Sequence, residues 1–169
     1  MAAMTPETTD RGELSQRLIH ERSIIELWSK PMTNHRSTYT LMIDRKPVAF
    51  LNLHNFAEPE ISISSRNIAV YSNCDCFLYD RLSGRTLHQN METPVRAAFY
   101  VGARWVILHE LGVVLVDTEQ CAVVAQCGTN DVILKYWWEG DDLLLVDFVS
   151  QRFRIKNAGT KSELNLMLE

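Results

Sequence analysis

Residues 105–117 read WVILHELGVVLVD: two short apolar runs, a break between them, and an aspartate at the end. Shifted back by 37 residues, the segment lies without a gap on 68–80, IAVYSNCDCFLYD; shifted forward by 30, it lies on 135–147, KYWWEGDDLLLVD. Runs of four or five Val, Ile, Leu and aromatic residues make short strands that can be buried on both faces. Breaks carrying Asn, Asp or Gly turn the chain back, because these residues tolerate left-handed backbone angles. The three segments are one hairpin written three times.

The closing aspartates, Asp80, Asp117 and Asp147, each lead into a second turn, where an Asp side chain can accept backbone N–H groups two or three residues on. A further strand follows each turn, at 85–89, 121–126 and 152–156. A fourth, degenerate copy is expected over 38–54, because Asp44 lies 36 residues before Asp80. Its preceding strand is missing, since 32–36 is polar. Another strand is expected at 60–64, and the apolar end at Leu164, Leu166 and Met167 forms a short strand or helix.

Residues 13–29 are predicted as an amphipathic helix. Leu14, Leu18, Ile25 and Trp28 fall on one stripe at helical spacing, Asp10 and Glu13 have capping-box spacing, and Pro31 stops the run. Residues 1–12 are small and polar, are expected to form a disordered tail, and lack the basic and apolar regions of a signal peptide.

A unit of about 30 to 40 residues holding three or four short antiparallel strands resembles a blade of a β-propeller. The likeness is architectural: no WD dipeptide, Gly-His pair or kelch diglycine stands where those families place one. The expectation is one mainly β domain over 13–169, with repeats near 61–90, 95–127 and 132–156. A small or incomplete propeller, closure by self-association, and a β-sandwich or barrel all stay open.

The chain of 169 residues carries a net charge of −4, which argues against nonspecific nucleic-acid binding. The longest apolar runs fall far below the roughly 18 residues of a membrane-spanning helix. The protein is expected to be cytoplasmic, with reduced cysteines.

Cys74 and Cys76, with Cys121 and Cys127, have even spacing that could bring four thiolates together on zinc, although zinc knuckles at turns are spaced differently. The reading preferred for them is buried small hydrophobes. Among His20, His35, His54, His88 and His109, none stands in a hydrolase signature, and the scattered glycines form no phosphate loop. No catalytic residue, cofactor or resident metal is expected.

What remains is recognition. Trp137 and Trp138 abut the acidic break Glu139-Gly140-Asp141-Asp142, and Asp75 and Glu110 lie in the corresponding breaks. If the hairpins stack, these carboxylates form one negative edge that could steer a basic partner. The candidate partner-binding set is therefore Trp137, Trp138, Glu139, Asp141, Asp142 and Glu110. The function expected is that of a non-enzymatic protein-binding module, an inhibitor or immunity-type factor masking a basic partner. The alternatives are a self-associating structural module, which would form a homodimer, and a cysteine-ligated metal factor or enzyme.

Overall fold

The computed structural model describes residues 12–31, 35–54, 56–160 and 163–169. Among them lie sixteen strands and no helix, arranged as four antiparallel sheets of four strands, each a meander in chain order. The chain divides into two compact units, Met1–Glu58 and Pro59–Glu169.

The first unit holds β1 (Glu13–His20), β2 (Ser23–Pro31), β3 (Arg36–Ile43) and β4 (Lys46–His54). The helix expected over 13–29 is therefore corrected to the β1–β2 hairpin; Asp10 of the expected cap lies outside the described residues. The apolar stripe misleads because it is symmetric. In the hairpin Leu14 pairs with Trp28 and Leu18 with Ile25, so the four residues of the helical stripe are two cross-strand pairs. β-Branched Ile19, Ile24 and Ile25 favour the extended form, and Ile25 and Leu27, two apart, are both fully buried. Between them Glu26 is also buried, where its cross-strand partner Arg17 donates from Nε at 2.7 Å.

The hairpin also supplies the strand that the fourth copy lacked. β2 pairs along β3, and the β3–β4 turn is tied to it: Ile24 N–H donates to Asp44 Oδ1, and Asp44 N–H to Ile24 O, both at 2.8 Å. Asp44 and Arg45 hold φ of 50° and 67°, the left-handed pair of a tight hairpin turn.

In the second unit β5 (Glu60–Ile63), β6 (Asn67–Ser72), β7 (Asp75–Asp80) and β8 (Thr86–Asn90) form one sheet. The next holds β9 (Val95–Val101), β10 (Arg104–His109), β11 (Gly112–Asp117) and β12 (Ala122–Gly128). The last holds β13 (Ile133–Glu139), β14 (Asp142–Asp147), β15 (Arg152–Ile155) and β16 (Leu166–Leu168), which settles the chain end as a strand.

The middle sheet packs on both sides. Its alternate residues Ile107, Val114 and Val116 join Tyr71, Cys76 and Leu78 in one core, and Val106, Leu108, Val113 and Leu115 join Leu143, Leu145 and Phe153 in the other. This is why β6, β7, β10 and β11 read as unbroken apolar runs: both faces are covered.

All three repeated hairpins are present, but not at equivalent places. The first two copies are the second and third strands of their sheets, β6–β7 and β10–β11; the third is β13–β14, the first and second. The three aspartates nonetheless close their turns alike. Asp80 Oδ1 accepts Leu82 N–H at 2.9 Å, Asp117 Oδ1 accepts Glu119 and Gln120 N–H at 2.9 Å, and Asp147 Oδ1 accepts Gln151 N–H at 2.8 Å.

Candidate functional site

Hydrogen bonds between turns place one end of the second unit. Met91 N–H donates to Cys74 O and Val95 N–H to Asn73 O, both at 2.7 Å, which sets the β6–β7 turn beside the start of β9. Glu110 N–H donates to Pro94 O at 3.0 Å, and Ile133 N–H to Glu110 O at 2.7 Å, so the β10–β11 turn joins the same row at the start of β13. Ile133 pairs with Asp147, which adds the β14–β15 turn. The β13–β14 turn lies at the far end of β13, six residues on and roughly 20 Å away at about 3.3 Å per residue.

The shift of the third copy by one strand therefore divides the set of acidic breaks. Asp75 and Glu110 share one end; Glu139, Asp141 and Asp142 lie at the other, and no continuous negative edge forms. Asp75 is also buried and occupied, accepting from Asn90 at 3.2 Å and lying 2.9 Å from His88 Nε2.

Three carboxylates near Trp137 share one arginine. Arg154 donates from Nη2 to Glu139 at 3.1 Å, from Nη1 to Asp142 at 3.2 Å and from Nε to Glu169 at 2.6 Å. Asn157 N–H bonds Asp142 Oδ1 at 2.9 Å, and this bond and Arg154 hold that carboxyl below its ordinary range against its burial. Asp141 is exposed, and among the described residues no such contact reaches its carboxylate. Trp138 turns inward, edge-on to Phe99 at 5.4 Å, and Trp137 to the opposite face, 37% exposed, with Nε1 donating to Glu139 at 3.2 Å.

The four cysteines do not converge, which corrects the convergence their spacing allows. Cys76 packs in the core between the first two sheets of this unit, and Cys127 against the core between the last two. Cys74 stands at the end just described, whereas Cys121 closes the β11–β12 turn at the other end, where Arg85 reaches Glu119 O at 3.0 Å. Burial pushes the Cys127 thiol up to about 11 and raises Cys74 and Cys76 too. Among the described residues no group of three His, Cys, Asp or Glu side chains is placed to hold a metal ion.

The end carrying the β6–β7, β10–β11 and β14–β15 turns has features that sequence reading passed over. Phe148 and Val149, 67% and 60% exposed, project from the turn after Asp147. Glu92, Glu110 and Asp131 lie on neighbouring connections; the cations at this end are Arg96, its Nη1 donating to Ile133 O at 3.4 Å, and the exposed Arg152 that opens β15. A groove of about 520 Å³ opens here between β8 and β12, with Met91, His109 and Val114 along it. His109 bonds Thr93 Oγ1 through Nδ1 at 2.7 Å, and burial pushes its pKa down against the opposing pull of Glu92. The signal that could have found this face is the apolar pair inside an otherwise polar turn, Phe148-Val149-Ser150-Gln151.

No family model and no curated protein matches the chain. Solved structures do match in fold. The C-terminal WD40 domain of Sif2 superposes with a TM-score of 0.58 at 11% identity, over 85% of this chain and 43% of that one. A chain of the mitotic checkpoint complex gives 0.58 at 11% identity, over 88% and 49%. The WD40 domain of Toxoplasma gondii coronin gives 0.51 at 13% identity, over 96% and 46%. The fold is thus mainly β and propeller-like, with WD40 domains among its likenesses, and the chain spans about half the length of these structures.

Proposed function

We propose that the chain is a non-enzymatic protein-binding module that docks a basic partner on the turn end of the Pro59–Glu169 unit. The observation that carries this reading is the pair Phe148–Val149, exposed at the same end of the unit as Glu92, Glu110 and Asp131. Phe148 and Val149 stand exposed side by side in one turn, and apolar anchors within a charged rim are the usual anatomy of a protein interface. One structure of similar fold is part of a multiprotein complex, the mitotic checkpoint complex, which supports the same reading. A module of this kind, acting in the cytoplasm, would inhibit its partner by covering a basic surface.

The test is crosslinked capture from native lysate at low and high salt, with wild-type chain, a Phe148→Ser, Val149→Ser variant and a Trp137→Ser control. A stoichiometric partner held by wild type and control, weakened by salt and lost from the double variant, is expected. Loss from the Trp137→Ser control alone, or capture indifferent to all three chains, overturns the reading.

A further inference from the structure

The groove between β8 and β12 has the chemistry of a peptide site. Both strands are the last of their sheets, so each presents a backbone edge that no strand of its own sheet pairs. Both run toward the turn end, since β7 and β11 run away from it; the groove follows β12 from Val123 to Gly128, roughly 17 Å at about 3.3 Å per residue, and meets β8 at its last two residues, Gln89 and Asn90.

Its walls carry carboxamides. Gln89 on β8 and Gln126 on β12 both line the groove. Gln126 is exposed, and its side chain has no hydrogen-bond partner among the described residues. A carboxamide offers a donor and an acceptor together, the pair that an extended main chain repeats at every residue. Met91, only 4% exposed, and Val114 supply an apolar floor.

The charge at the mouth has one sign. Glu92 is exposed there, and no lysine or arginine is among the residues that line the groove. The ring of His109, facing Glu92, is already bonded to Thr93.

We propose that this groove binds an extended peptide segment of another protein, its main chain read by Gln89 and Gln126 and a lysine or arginine side chain met by Glu92. This rests on the protein-binding reading above but uses different residues. Phe148 and Val149 would anchor the body of the partner, and the groove would take a basic, strand-like arm.

The probe is a set of fluorescein-labelled, N-acetylated decapeptide pools with a central Lys, Arg or Glu and degenerate flanks, titrated by polarisation against the full chain. The Lys and Arg pools are expected to bind about tenfold or more tightly than the Glu pool, since one well-placed ion pair is worth a factor of this order. Glu92→Lys should reverse that order. A Gln89→Ala, Gln126→Ala variant, its thermal melt checked against wild type, should weaken the Lys and Arg pools without changing their rank. Asp141→Lys, an equal charge change at the far end, should leave everything as it was.

Pools that bind alike, a preference that survives Glu92→Lys, or one abolished equally by Asp141→Lys would overturn the proposal. Partner capture that depends on Phe148 while no pool binds overturns the groove alone. Pool binding that follows Glu92 while capture ignores Phe148 overturns the end-face anchor alone.

Discussion

Arg66 grips both carboxylate oxygens of Asp80, donating from Nε to Oδ1 at 3.1 Å and from Nη2 to Oδ2 at 2.9 Å. Asp80 is buried, and it also accepts the hydroxyl of Ser83 and the N–H of Leu82. Arg66 foremost, then these two donors, hold its carboxyl well below the usual range despite burial. A carboxylate with a depressed folded pKa adds stability that is full above the unfolded value, about 3.9, and is lost as pH falls through the folded value. Asp80→Asn should therefore cost roughly 1.5–3 kcal/mol at pH 7, the range for hydrogen bonds to a charged group. The gap from wild type should shrink steadily below about pH 4 in denaturant titrations. A constant gap from pH 7 to pH 2 would assign the loss to packing instead of charge.

The three closing aspartates are unequal in one respect. Arg104 reaches Asp117 Oδ2 from Nε at 3.4 Å, as Arg66 reaches Asp80, but among the described residues no arginine serves Asp147. Its Oδ2 is buried and meets no donor among the described residues. Arg66 precedes Asn67, which pairs with Asp80; the matching position before Ile133, which pairs with Asp147, is Val132. Val132→Arg should raise stability by about 1 kcal/mol through a charge-assisted bond, and the gain should vanish in an Asp147→Asn background. A double-mutant cycle by chemical denaturation reads the coupling directly. Equal effects of Val132→Arg in both backgrounds would show that the arginine does not reach the aspartate.

Arg154 fastens the last sheet by bonding carboxylates from three places in it: Glu139 at the end of β13, Asp142 at the start of β14 and Glu169 after β16. β16 is three residues long and, among the described strands, pairs with β15 alone, with Leu166 against the core and Glu169 N–H on Arg152 O at 2.9 Å as its other ties. In Arg154→Met, amide exchange of residues 166–169 should quicken, while β10 and β11 stay protected. High salt should reproduce part of the effect in wild type, because these groups are partly exposed and screened.

The legible parts of this fold were those set by local chemistry. The repeated hairpins, the aspartate turns and the strands after them were visible because each depends on a few adjacent residues, such as Asp117 and the N–H groups of Glu119 and Gln120. The β1–β2 hairpin was not, because pairing Leu14 with Trp28 and Leu18 with Ile25 satisfies the same apolar pattern as a helix. The proposed acidic edge failed for a third reason. Which end of a sheet a turn occupies depends on its place in the strand order, and a hairpin sequence does not state whether it is strands one and two or two and three. The breaks 109–112 and 139–142, which carry Glu110 and Asp141, were equivalent in the alignment and lie at opposite ends of β13 for that reason alone. Phe148 and Val149 were visible as residues, but only the structure shows that they are left uncovered.

The turn at Glu21 separates the two readings of the first segment by experiment. Glu21 holds φ of 55° between β1 and β2, a left-handed conformation that costs a residue with a Cβ roughly 1–2 kcal/mol and glycine almost nothing. In a helix over 13–29, Glu21→Gly would fall mid-helix and lower stability by about 1 kcal/mol. In the hairpin it removes the strain, and after the entropy that glycine loses on folding it should raise stability by roughly 0.5–1 kcal/mol. Glu21→Pro should do the reverse of what a turn tolerates, since its ring fixes φ near −65° and excludes the observed angle. Thermal melts of the two variants therefore have opposite expected signs. A fall with Glu21→Gly, matched by loss of helical circular dichroism, would restore the helix and take the β1–β2 strand pair away from the first sheet.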